Sequence, residues 1–168
     1  NLTTAVRDGI VGHTGATIPV TLEGQIIRIV DRIAYLCHDF DDAQRAGMLT
    51  AENLPFEVRE HFGMTPSSMI TAMVEDMVRE SLDKPVISMS SDIEMTMNLF
   101  RQFMFKNVYL APALIPDRNK ASHVVKNLFT HFMEHPDDME GCESNREFYS
   151  TRDVVDYVAG LTDQYAIK

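Results

Sequence analysis

Apolar residues recur along most of this chain at helical spacing, and runs that alternate with a period of two are nearly absent. The pattern predicts a first helix over residues 2–12, ending near Gly12 and Gly15, with Pro19 closing the loop. A long helix follows over 23–46, stopped by Gly47, with Phe40-Asp41 as the place for a bend. A short helix over 55–62 ends at Gly63. Thr65-Pro66-Ser67-Ser68 then offers an N-cap, a proline at the first helical position and a polar first turn. The helix behind it reaches about residue 82 and carries Met69, Ile70, Met73, Met77 and Val78. Pro85 breaks the chain, and Ser91-Asp-Ile-Glu94 reads as a capping box opening a helix to about 109. Pro112 and Pro116 end that helix, and Asp117 caps the next, which runs to about 134. A polar loop over 135–145 leads to a last helix, capped by Ser150 or Thr151 and carrying Val154, Val155, Tyr157, Val158 and Leu161. With no repeat and no interdomain linker, the pattern predicts one all-α unit over 1–168, of about seven helices.

The long helix breaks its own pattern over Asp31-Arg-Ile-Ala-Tyr35-Leu-Cys-His38-Asp39-Phe-Asp41-Asp42. With Asp31 at zero and about 100° per residue, Tyr35 falls near +40°, His38 near −20°, Asp42 near +20° and Asp39 near +80°. Ile27, Val30, Ile33, Ala34 and Cys37 fall at roughly −40° to −160° on the same wheel. A polar stripe is thus expected along the edge of the buried face. Carboxylates there are costly without a cation or donors, and a metal or phosphate site would supply one.

Composition narrows the choice. A chain of 168 residues with 45% hydrophobic content can bury a real core. A net charge of −10 argues against a general nucleic-acid-binding surface. It leaves a nucleotide substrate open, because a local cluster of Arg, Lys and metal can reverse the field in a cleft. Of the two cysteines, Cys37 lies on the apolar helix face and reads as a buried thiol, favouring a reducing, cytoplasmic setting. No apolar run approaches the length of a membrane span. The chain opens on Asn1 inside a helical pattern, and a fragment of something longer is the expectation.

Glu23-Gly24-Gln25, Asp31-Arg-Ile-Ala-Tyr35, His38-Asp39 with Asp41-Asp42, and Arg45-Ala-Gly47 together resemble the signature of the dGTP triphosphohydrolase-like branch of the HD-domain phosphohydrolases. Arg101-Gln-Phe-Met-Phe-Lys106-Asn-Val-Tyr109 resembles that family's Arg…Tyr helix. Asp156-Tyr157-Val-Ala-Gly160-Leu-Thr162-Asp163-Gln-Tyr165-Ala resembles its closing helix. The segments recur in the family's order over nearly the whole chain. The resemblance implies an HD-domain-like helical bundle, of which this chain carries the C-terminal portion.

It also implies the chemistry. The family hydrolyses a deoxynucleoside triphosphate to deoxynucleoside and triphosphate with one divalent metal, held by an early His, a His-Asp pair and a later Asp. Asp31 matches the last of these; the others belong to helices expected to precede Asn1. His38-Asp39 comes after Asp31 and does not match the metal dipeptide. A mixed His/carboxylate set suits manganese, iron or nickel, and magnesium less well. Tyr35 and Asp39 would face the sugar, Arg101 would meet the triphosphate through its planar fork, Lys106 would add a phosphate contact, and Tyr109 would complete the pocket. The expected partners are a deoxynucleoside triphosphate, the N-terminal half of the domain and further copies of the chain. The chain alone is expected to be inactive.

Plainer readings exist for each residue. Asp31 could pair with Arg28 or Arg32, Tyr35 could be an aromatic at the core edge, and Arg101 could pair with Glu94. Lys106 could be a surface lysine, and His38 could orient Asp31 or Asp42. Asp41 and Asp42 could face solvent or bridge to Arg45, and the eleven methionines read as core filler. His13 is given no metal role, and His123, His131 and His135 read as surface residues. A second class of function stands beside the enzyme: a non-catalytic regulatory or assembly module that retains the fold.

Overall fold

The structure is a computed structural model that describes residues 2–139 and 149–166. Among the described residues all regular structure is helical. The helices are α1 (Thr4–Gly12), α2 (Leu22–Arg45), α3 (Phe56–Phe62), α4 (Pro66–Ser81), α5 (Ser91–Met104), α6 (Ile115–Glu134), α7 (Thr151–Gly160) and a short α8 (Asp163–Ala166). The last is an element that the periodicity does not announce. Residues 140–145 of the expected polar loop, with Cys142, lie outside the described residues.

Local chemistry explains most boundaries. Thr3, Thr21, Thr65 and Ser150 each accept a first-turn backbone N–H and cap α1, α2, α4 and α7. Two start signals work differently from the expectation. Ser90, not Ser91, is the N-cap of α5, because Ser90 is extended and Ser91 already helical; the box at Ser91–Glu94 is not formed. Pro116 does not end a helix but lies in the first turn of α6, where a missing N–H costs nothing, and Asp117 stands inside that turn rather than capping it. α2 runs unbroken through Phe40-Asp41, with Phe40 and Ala43 both buried.

By packing, the chain divides into two compact units, Asn1–Ala111 and Pro112–Lys168. In the first, α2 packs on α1, α4 and α5, and α3 packs on α4 and α5. Ile33, Leu36, Phe40, Val58, Phe62, Met69, Met73, Met97, Phe100 and Met104 form its core. Phe40 and Phe100 meet edge to face with ring centres 5.8 Å apart. In the second, α6 packs on α7 through Phe132, Met139 and Val154. The filler reading holds for Met69, Met73, Met77, Met97, Met104 and Met139, whereas Met64, Met95 and Met133 are exposed.

Three polar ties hold the first unit together. Arg28 donates to the carbonyls of Gly12, Gly15 and Thr17 and so fixes the α1–α2 loop against α2. Gln25 donates to the Pro19 carbonyl and accepts the Ile87 N–H at 3.0 Å. Asp76, 2% exposed, accepts the Ser90 N–H at 2.8 Å and pairs with Arg79. The Ser90 side chain makes no cap bond, so the Asp76 carboxylate secures the start of α5 from a neighbouring helix.

Candidate functional site

α2 buries the face carrying Ile33, Leu36, Cys37, Phe40 and Ala43. On the expected wheel this face is centred opposite Asp31, not beside the polar stripe. Ile27, placed on the buried arc by the sequence, is 53% exposed. Leu36, Phe40 and Ala43 lie outside that arc, and burying all three turns α2 so that Asp31 and His38 point away from the core. Only Tyr35 and Asp39, at the edge of the stripe, are half-buried.

Asp39 and Tyr109 are brought together from 70 residues apart. The Tyr109 hydroxyl donates to Asp39 Oδ2 at 2.6 Å. Tyr109 stands at the end of Phe105–Tyr109, a π-helical turn that continues α5. Burial raises the Tyr109 phenol well above its usual value, the hydrogen bond and charge of Asp39 add to this, and Arg101 opposes them. Tyr35, when it too is ionised, adds to the rise, and both tyrosines pack against the same core. Beside the pair lies a shallow pocket of about 280 Å³ floored by Ala43, Ala46, Met48 and Val108.

Arg101 joins this cluster through an aromatic relay. Its guanidinium carbon lies 4.8 Å from the centre of the Phe105 ring, and Phe105 meets Tyr109 edge to face at 5.0 Å. No Arg101–Glu94 ion pair forms. Lys106 is exposed and makes no ion pair with a described residue. Asp31 is exposed, and its carboxylate has no hydrogen-bond or ion-pair partner among the described residues. Arg28 is taken by loop carbonyls, and Arg32 donates to Asn98 at 2.8 Å, so neither neutralises Asp31. His38 holds neither Asp31 nor Asp42. Asp41 bridges to Arg45 at 2.5 Å.

Among the described residues no three His, Cys, Asp or Glu side chains are arranged to hold a metal ion. Asp31 can therefore offer one hard oxygen, and a metal there would need ligands from elsewhere. His13 donates to the Ile10 carbonyl at 2.6 Å and closes the end of α1. His131 pairs with Asp138 at 2.9 Å. Sequence reasoning missed Asp76 and the His61–Thr96 hydrogen bond at 2.7 Å. Both depend on contacts between helices that periodicity does not report.

Residues 87–168 match the family of phosphohydrolase-associated domains. The chain is 40% identical, over 99% of its length and 50% of the relative's, to a deoxyguanosinetriphosphate triphosphohydrolase-like protein of Caldanaerobacter subterraneus subsp. tengcongensis. It is 36% identical to a protein of that name from Clostridium perfringens, over 98% of the chain and 52% of the relative. A third, from Desulfatibacillum aliphaticivorans, is 31% identical over 99% of the chain and 54% of the relative. Over nearly its whole length the chain is similar to the deoxyguanosinetriphosphate triphosphohydrolase-like proteins, and it fits a C-terminal part of them. It spans about half the length of the curated relatives it matches. No described helix is long and apolar enough to cross a membrane.

Proposed function

We propose that this chain supplies the sugar- and phosphate-facing part of a metal-dependent deoxynucleoside triphosphate triphosphohydrolase. The observation that carries this reading is the Tyr109–Asp39 hydrogen bond, with Tyr35 and Arg101 in the same electrostatic neighbourhood. A carboxylate and a phenol already 2.6 Å apart can exchange their mutual bond for a shared sugar hydroxyl. Asp39 accepts from the 3′-hydroxyl, and Tyr35 and Tyr109 wall the 2′ position so that a ribonucleotide is disfavoured. Arg101, held by an aromatic face, can turn its planar fork to phosphate oxygens. Lys106, exposed on the surface, adds a second cation.

Asp31 contributes one ligand to a divalent ion whose other ligands come from outside this chain. An unpaired, exposed carboxylate fits one position on manganese, iron, nickel or magnesium. When bound, the ion supplies Lewis acidity at the phosphate and lowers the pKa of water. The reducing, cytoplasmic setting we assign to the protein rests on Cys37 being a buried free thiol.

The test measures triphosphate release from each deoxynucleoside triphosphate with manganese, for this chain and for the longer protein that carries it. The longer protein is expected to turn over and this chain alone to be inactive. In the longer protein, Asp31→Ala should remove metal and activity together, and Tyr35→Phe and Asp39→Asn should weaken discrimination between deoxy- and ribonucleotides. Turnover by this chain above its Asp31→Ala control would show the metal site to be misplaced. A longer protein that neither binds nor hydrolyses nucleotide would instead favour a regulatory or assembly module.

A further inference from the structure

The turn that carries Tyr109 has an unusual register. Leu110 N–H reaches back five residues to the Phe105 carbonyl at 2.9 Å, the mark of a π turn. Such a turn takes in one more residue than an α turn, so the residues beyond it lag the α register by about one position, or roughly 100°. In an uninterrupted α-helix Tyr109, eight residues after Arg101, would lie about 80° round the axis from it. With the extra residue it falls back to within about 20° of the Arg101 stripe. There its hydroxyl meets Asp39.

A π turn is rarely favoured by backbone bonding alone, and something local has to select it over the α register. The half-buried Asn107 lies at the centre of the turn, and its side-chain Nδ2 donates to the Phe103 carbonyl at 2.8 Å. A short amide that bonds to a backbone carbonyl one turn back competes with regular helical bonding and bends or loosens the helix locally. Phe105 and Val108 carry no polar side-chain atom, and the Tyr109 hydroxyl is turned to Asp39. Within the turn, the Asn107 amide is therefore the short polar group placed to act on the helix backbone.

We propose that Asn107 is a positioning residue: by donating its side-chain amide to the Phe103 carbonyl, it holds the π turn that sets Tyr109 on Asp39. This deepens the nucleotide-site reading, whose central pair it explains, but it is tested without nucleotide, so the two can fail separately. Arg101 anchors the other end of the same turn by lying over Phe105. The Asn107 amide itself is directed at Phe103, not at the Asp39–Tyr109 pair.

The experiment tracks the phenol of Tyr109 by NMR in the chain labelled with carbon-13 at tyrosine Cζ, its signal assigned by loss in Tyr109→Phe. In the unaltered chain Tyr109 should titrate well above an ordinary tyrosine, as its burial and its bond to Asp39 require. In Asn107→Ala, which removes the donor and favours the α register, it should titrate about one pH unit lower or more, as the bond to Asp39 is lost. Asn107→Ser, whose hydroxyl can also donate to the carbonyl four residues back, should restore most of the difference. Circular dichroism and thermal melting establish that each variant is folded. A folded Asn107→Ala whose Tyr109 titrates as in the unaltered chain overturns the proposal. Loss of the fold in Asn107→Ala overturns it too, since the Phe103 bond would then serve stability rather than the placement of one side chain.

Discussion

Replacing Asp76 by alanine tests how α5, and with it Arg101 and the π turn, is held. Asp76 is 2% exposed and makes two kinds of contact that differ in worth. The pair with Arg79 is weak, because the arginine side chain is 66% exposed and a pair reaching solvent contributes about 0–1 kcal/mol. The bond from the Ser90 N–H to Oδ2, at 2.8 Å, is part-buried and charge-assisted, in a class worth about 1.5–3 kcal/mol. Alanine also leaves the Ser90 N–H unpaired at a helix start whose own side chain provides no cap. Relief of carboxylate desolvation offsets part of the loss. The net expectation is about 2–3 kcal/mol of destabilisation, or a melting temperature lower by roughly 10 °C for a unit of this size. Asp76→Asn keeps an acceptor for Ser90 and should cost about half as much. Urea unfolding followed by circular dichroism at neutral pH measures both. An alanine variant within about 0.5 kcal/mol of the unaltered chain would refute the assignment of Asp76 as the cap of α5. An asparagine variant as unstable as alanine would show that the ion pair, not the hydrogen bond, carries the effect.

In the longer protein, Arg101→Ala should leave metal content unchanged and lower catalytic efficiency by roughly ten- to a hundredfold, the loss of one charge-assisted phosphate contact. Arg101→Lys should recover only part, because an ammonium cannot reproduce the fork; full recovery in steady-state kinetics would argue against a bidentate contact. Cys37 should resist thiol reagents until the protein unfolds. Because burial raises its thiol from 9.0 to about 12, the stability it contributes is intact below about pH 9 and is lost as pH rises towards 12. Cys37→Ala should lack that alkaline component in denaturation at about pH 7 and about pH 11. Val6, Ile10, Val11, Ile26 and Ile27 leave an apolar face exposed on α1 and α2. The chain on its own should therefore sediment above monomer mass, and a concentration-independent monomer would contradict this.

Helix positions are legible in the sequence because capping residues and apolar spacing are local signals. Thr65-Pro66 and Ser150 each mark a helix start without reference to the rest of the fold. The rotation of α2 is not legible, since which of two overlapping arcs is buried depends on what packs against it. Phe40 settles this by meeting Phe100, 60 positions away in sequence. The start of α5 is misread for a related reason: its stabilising carboxylate, Asp76, comes from another helix. Asp39 and Tyr109 are expected from the sequence only as two residues facing one ligand. Their direct bond needs the π turn, and nothing in the spacing of Arg101 and Tyr109 announces a change of register.

The methionines give the protein an order in which it would age under oxidants. Met95, 63% exposed, and Met64 and Met133, each 42% exposed, are open to peroxide and become sulfoxides without disturbing the interior. Met69, Met73, Met97 and Met104 have almost no exposed surface and are reached only when the first unit opens. A sulfoxide at any of these places a polar, chiral group among Phe40, Phe62 and Phe100 and hinders reclosing. Surface thioethers thus record exposure to oxidant, whereas buried ones record how often the core has opened.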